Sequence, residues 1–181
     1  MTQTTATPAS SATLADPVTL LFADLEGELK TTRRALERVP NGKDDWRPHQ
    51  KSKSLDELAT HIAQLPGLGI IILTRDTYEG GSAPPQPKPA DSAARLKIFD
   101  EVAGEFQRLV NELTWDHAMA PWTLTFKGQP VVNGPRAQIV RSVLVTHLAH
   151  HRAQLGVYLR LLDIPVPSTY GPSADEGPAP R

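Results

Sequence analysis

The sequence predicts an all-α protein: a four-helix bundle with one long crossover and a small β-hairpin before the last helix. Three observations carry that expectation. Apolar residues recur at helical spacing over four long segments. Stretches rich in proline and glycine separate those segments. The last segment, Arg136 to Leu162, sets two of the six histidines inside its apolar stripe.

Asp16-Pro17 opens the first helix, with Asp at the N-cap and a proline whose missing N–H costs nothing in the first turn. Leu20, Leu21, Leu25, Leu29 and Leu36 form its stripe, and it stops at Val39 before Pro40. The leucines at 29 and 36 suit a subunit interface or a buried face equally well. A polar loop from Asn41 to Lys53 holds Trp46 and Pro48. Ser54-Leu-Asp-Glu57 is a capping box that starts helix two, whose stripe runs Leu58, His61, Leu65, Leu68, Ile72. Pro66-Gly67 should kink this helix, yet the stripe resumes in phase beyond it. Glu79 to Ala90, with Gly-Gly-Ser and four prolines, reads as a surface connection. Helix three spans Ser92 to Leu113, with Leu96, Phe99, Val102, Phe106, Leu109, Val110 and Leu113 inward. Trp122 to Phe126 alternates apolar and polar residues before Lys127-Gly128-Gln129, the pattern of a hairpin. Helix four starts after Pro135, and Ile164-Pro-Val-Pro ends it.

Bulk properties narrow the function classes. A chain of 181 residues is expected to form one domain, here 14–168, between a disordered tail at 1–13 and a C-terminal extension at 169–181. With no cysteine there is no disulfide, thiolate zinc site or cysteine nucleophile, so a metal must be held by imidazole and oxygen. Nineteen basic against 20 acidic residues, with no basic block, argues against nucleic-acid binding and gives no reason to expect an anionic membrane surface. No apolar stretch is expected to approach the roughly 20 residues of a membrane span. The first 13 residues lack the charged and apolar regions of a signal peptide, so a cytoplasmic location is expected.

The histidines carry the chemistry. At 100° per residue, Val140, Leu144, His147, His151, Leu155, Tyr158 and Leu162 share one face, with Arg141, Ser142, Ala149, Arg152 and Arg160 opposite. Two imidazoles at i and i+4 stand about 6 Å apart at Cβ, close enough to grip one ion. By itself such a pair also suits core histidines satisfied by neighbouring hydroxyls and carbonyls. His61 tips the balance, because it occupies a leucine position on the inward stripe of helix two. Three histidines from two helices match the three-ligand arrangement of catalytic divalent sites, whereas a structural zinc wants four ligands.

His150 borders the apolar face and is assigned a supporting or surface role. Gln154 and Tyr158 read either as a polar rim on the core or as hydrogen-bond partners of a ligand histidine or of metal-bound water. Arg152 points away from the histidine face, toward a carboxylate partner or packing elsewhere. His49 and His117, in loops, are expected to be solvated.

Trp46-Arg-Pro-His49, Leu58-Ala-Thr-His-Ile-Ala-Gln-Leu-Pro-Gly67, His147-Leu-Ala-His-His-Arg-Ala-Gln-Leu-Gly-Val-Tyr-Leu-Arg160 and Ile164-Pro-Val-Pro-Ser-Thr-Tyr-Gly-Pro-Ser-Ala-Asp-Glu176 together resemble the DinB family. The resemblance runs from about Leu14 to Glu176. It implies a DinB/YfiT-like four-helix bundle, commonly a homodimer, with a divalent metal on one helix-two histidine and two helix-four histidines. At the matching positions these are His61, His147 and His151. Thiol-dependent S-transferases and an isomerase in the wider superfamily imply a metal-dependent transferase acting on a small thiol. The alternative is a metal- or small-ligand-binding stress protein without turnover. One ion per chain is expected, zinc or nickel first and iron or manganese next, because imidazole suits several of these metals. Hydrolysis is disfavoured, since no carboxylate lies on the inner face of helix four near its histidines. The segment from Tyr170 to Glu176 reads as a loose tail or, preferably, as one folded back over a partner subunit.

Overall fold

The Asp16 carboxylate accepts the Thr19 backbone N–H at 3.1 Å and starts α1, Pro17–Leu21. The computed structural model describes residues 16–82 and 88–177, so the tail expected at 1–13 lies outside the described residues. The first helix is shorter than its leucine pattern suggested. A turn at Phe22 to Asp24 separates α1 from α2, Leu25–Glu37, and re-phases the stripe. Val18, Phe22 and Leu25 turn inward, and Leu20 is left 65% exposed. Leu29 and Leu36 are buried within the chain.

The capping box forms as the sequence requires: Ser54 Oγ accepts the Glu57 N–H, and the Glu57 carboxylate accepts the Ser54 N–H. It starts α3, Leu55–Gln64, and Pro66 then opens α4, Pro66–Thr74. One sequence expectation is corrected here. Leu55–Thr74 is 20 residues long with a mean hydropathy of 1.3, enough by length and composition to cross a membrane. Half of its apolar window is buried in the domain, as the central helices of a packed core are. The kink at Pro66 interrupts the helix without interrupting its apolar composition.

The long helix α5, Ser92–Asn111, packs against α2, α3 and α4. Two ion pairs fix it: Arg33 with Asp100 at 2.7 Å, and the buried Arg95 with Asp56 at 2.5 Å. After the short α6, Trp115–Met119, strands β2 (Pro121–Phe126) and β3 (Gln129–Pro135) pair antiparallel. Their two-residue turn puts Lys127 at φ 52° and Gly128 at φ 72°, the left-handed pair that matches strand twist. A third strand, β1 (Thr77–Glu79), pairs parallel with β2 and was not legible in the sequence. The described chain is therefore mostly helical with a small three-stranded sheet.

The last helical run departs from a single α-helix. It consists of α7 (Arg136–Ile139), a π-helical turn (Val140–Val145) and α8 (Thr146–Leu161). The wider turn places Leu144 and Val145 both inside and moves the buried line of α8 to Leu148, Arg152, Leu155 and Leu159. Arg152, projected on the outer face, thus lies in the interior. α8 packs against α2 as well as α3, so more than one narrow face is covered. Arg152 donates to the Glu28 carbonyl and Thr32 hydroxyl, both at 3.0 Å, and pairs with the Glu28 carboxylate at 2.8 Å.

The segment after α8 folds back on its own chain. Glu176 pairs with Arg34 and Arg38 of α2, Asp175 pairs with Arg160, and the Tyr170 hydroxyl bridges Arg152 and Glu28. It is therefore not a loose tail.

Candidate metal centre

Three imidazoles meet between α3 and α8. On α8, His147, His151, Gln154 and Tyr158 follow one another at i, i+4, i+7 and i+11, along the flank of the buried line. His61 projects from the matching flank of α3, between the buried Leu58 and Leu65. Its ring centroid lies 5.3 Å from that of His147 and 4.6 Å from that of His151. One ligand nitrogen from each lies within 4.8 Å of the others, and all three side chains are partly buried.

The hydrogen bonds orient the nitrogens. His151 Nδ1 lies 2.7 Å from Gln154 Oε1, so with the proton assigned to Nδ1 its Nε2 carries the lone pair. That Nε2 is 2.8 Å from His147 Nε2. Two lone pairs cannot face each other at this distance without a proton or a cation between them. An imidazole donor set with no acid group among it accommodates a divalent ion of the zinc, nickel or iron type.

Electrostatics hold these rings neutral. His61 is lowered to about 4, first by burial and then by His151, His147 and Lys53. Burial is also the leading cause for His147, followed by His151 and His150. His151 is lowered by burial as well, against a raising contribution from its bond to Gln154, with His150 and Lys53 adding to the decrease. At neutral pH all three offer unprotonated nitrogens, the form a metal requires.

The remaining candidates separate. His150 is exposed, its ring 4.9 Å from His151. The Tyr158 hydroxyl donates to the Lys53 carbonyl at 3.1 Å rather than to a histidine, and the Trp46 ring meets Tyr158 edge-on at 5.6 Å. His49 and His117 are exposed and outside the cluster, with His117 Nε2 2.8 Å from the Leu73 carbonyl.

A family model described as the DinB family matches residues 5–180. The chain belongs to the DinB family. Among relatives of this DinB protein, the uncharacterized protein YrdA of Bacillus subtilis (strain 168) is 26% identical over 123 residues, 68% of this chain and 70% of YrdA. Two crystal structures of DinB-like proteins share its fold. YjoA from Bacillus subtilis is 14% identical at a TM-score of 0.61, covering 81% of this chain and 95% of its own. A Bacillus cereus ATCC 10987 protein is 19% identical at 0.63, covering 83% and 95%.

Sequence reasoning did not single out Lys53, which lies in a polar loop with no local pattern to mark it. Only its carbonyl bond to Tyr158 and its charge at His61 and His151 place it by the cluster.

Proposed function

We propose that this DinB protein binds one divalent metal ion at His61, His147 and His151, and that it uses the site as a metal-dependent transferase activating a low-molecular-weight thiol. The observation that carries the metal reading is the convergence of three neutral imidazoles within 4.8 Å. A bound divalent ion supplies Lewis acidity, lowering the pKa of a coordinated water or thiol. The chain's own residues do the rest. Gln154 holds the His151 ring with its Nε2 toward His147, and burial keeps the rings unprotonated. Trp46 and Tyr158 meet edge-on at 5.6 Å, with Tyr158 two turns past His151 on α8. The transferase step rests on the family resemblance alone, because one fold hosts several activities and the fold itself selects none of them. The same reading takes the main helices as a DinB-type four-helix bundle, the protein as cytoplasmic, and the assembly as a homodimer. Leu29 and Leu36 are buried within the chain, so the dimer uses another surface.

Metal content tests the site. Protein purified without a histidine tag should carry or take up close to one divalent ion per chain, and His61→Ala and His147→Ala should lose it. A folded parent that takes up neither zinc nor nickel refutes the metal reading. On cobalt-substituted protein, a thiol that changes the visible spectrum supports the transferase. A spectrum indifferent to every thiol leaves a metal-binding protein and removes thiol activation.

A further inference from the structure

A second concave flank of α8 lies away from the histidines. Arg152, Gly156 and Arg160 recur at i, i+4 and i+8, with Val157 and Leu161 beside them, roughly 140° around the helix from the histidine line. Between this flank, Ala35 of α2 and the segment that follows α8 is a cavity of about 400 Å³, within the size range of small-molecule sites. Val166 and Pro167 line it together with Val157 and Leu161, which remain 58% and 56% exposed.

The wall after α8 is pinned in place. Val166 N–H donates to the Asp175 carboxylate at 2.8 Å, and the Val166 carbonyl accepts the Ser173 hydroxyl at 2.7 Å. Asp175 pairs with Arg160 on α8, and Glu176 pairs with Arg34 and Arg38 on α2. Gly156 keeps the α8 side open, since a Cβ there would already stand 3.5 Å from Val166 Cγ1. The cavity is thus formed before any ligand arrives, which spares a ligand the cost of ordering it.

Its polar groups define what fits. Arg152 and Arg160 both line the cavity, and each is neutralised, by Glu28 and by Asp175. An anion would compete with those carboxylates, and a cation would meet the guanidiniums. Four of the five N–H groups of the buried Arg152 are taken by Glu28, Thr32 and Tyr170. The fifth, Nε–H, has no partner among the described residues.

We propose that this cavity is a second ligand site, separate from the three-histidine cluster, for a small uncharged molecule with an apolar body and one carbonyl acceptor. The body lies against Val157, Leu161 and Val166, and the acceptor takes the Arg152 Nε–H. This inference does not depend on the metal reading.

The test titrates the full chain into micromolar Prodan, a neutral dimethylaminonaphthalene ketone whose emission shifts to the blue when it leaves water. Saturable binding is expected with a Kd on the order of 0.1 mM, the affinity that efficient contact gives a ligand of this size. Gly156→Leu and Val157→Trp narrow the cavity from α8, and each should weaken binding about tenfold or more. Because Val157 is exposed, its variant should melt like the parent even where Gly156→Leu costs stability. Trp115→Ser removes an exposed aromatic elsewhere and should change nothing. Dimethylaminonaphthalene without the ketone should bind about fivefold more weakly in competition with Prodan. The anionic anilinonaphthalene sulfonate should bind more weakly than Prodan, read from its own fluorescence. No saturable blue shift, or one that Val157→Trp leaves intact, overturns the site. Equal competition by the ketone-free amine, or tighter binding of the sulfonate, overturns the ligand class. A parent that sediments as a dimer, that Val157→Trp dissociates and that Prodan does not enter, assigns the cavity to a second copy of the chain and overturns the proposal.

Discussion

Arg152 and Glu28 form a buried ion pair that links α8 to α2, and breaking it from one side should be costly. Their side chains are 3% and 10% exposed. The guanidinium makes four contacts: the Glu28 carboxylate at 2.8 Å, the Glu28 carbonyl and Thr32 hydroxyl at 3.0 Å, and the Tyr170 hydroxyl at 2.6 Å. Glu28→Ala removes the only carboxylate among them and strands a buried cation, a loss of about 3–5 kcal/mol. Tyr170→Phe removes a neutral hydroxyl and should cost about 1 kcal/mol. Glu28→Leu with Arg152→Met removes both charges and should recover most of the loss, because burying two ions already costs desolvation. Urea unfolding of the metal-free parent, each single variant and the double variant gives the coupling directly. A Glu28→Ala cost below about 1 kcal/mol, or a double variant no better than the worse single one, would show that water reaches the pair and that the interior placement of Arg152 is wrong.

Three further outcomes follow from the geometry. Gln154→Leu should leave the melting temperature unchanged but weaken metal affinity about 10–100-fold, measured by competition with a chelator, because the His151 ring loses its orienting acceptor. In metal-free protein, His61 has a folded pKa near 4, below the 6.5 of an unperturbed imidazole, so the unfolded chain binds the extra proton between them. Stability should therefore be full above about pH 6.5 and fall toward pH 4, by about 1–2 kcal/mol after discounting for partial exposure, and His61→Leu should flatten that slope in urea titrations at successive pH values. Gly69→Ala should destabilise by about 1–3 kcal/mol, since a Cβ there would collide with the Phe106 ring of α5 and with Leu144 of the π-helical turn; a neutral result in thermal melts would mean that α4 packs less closely.

Local signals in the sequence were read where a few neighbouring residues decide the outcome. The Ser54–Glu57 capping box, the break at Pro66 and the Lys127-Gly128 turn each depend on a side chain and a backbone group within four residues. Each formed as its chemistry demanded. Leu20 illustrates the opposite case. Its helical spacing was right over a stretch that turned out not to be one helix, and a turn of three residues put it outside. β1 is a three-residue strand that exists only because β2 lies beside it, so no local pattern announces it.

The same distinction explains why the histidines were legible while their surroundings were not. His147 and His151 are joined by helical spacing alone, and His61 stood out because it sat where a leucine belonged. All three occupy flanks of their helices, where a small error in face angle still leaves an imidazole facing the neighbouring helix. Arg152 had no such tolerance. A π turn upstream and a second packing partner put it inside, and its burial depends on Glu28, Thr32 and Tyr170, which are more than a hundred residues away or beyond the helix end. Lys53 is a parallel case, a loop residue tied to α8 only through its backbone carbonyl at Tyr158. The clustering of the three imidazoles was thus readable from periodicity, whereas the ion pair that holds Arg152 inside depends on where α8 meets α2 in three dimensions.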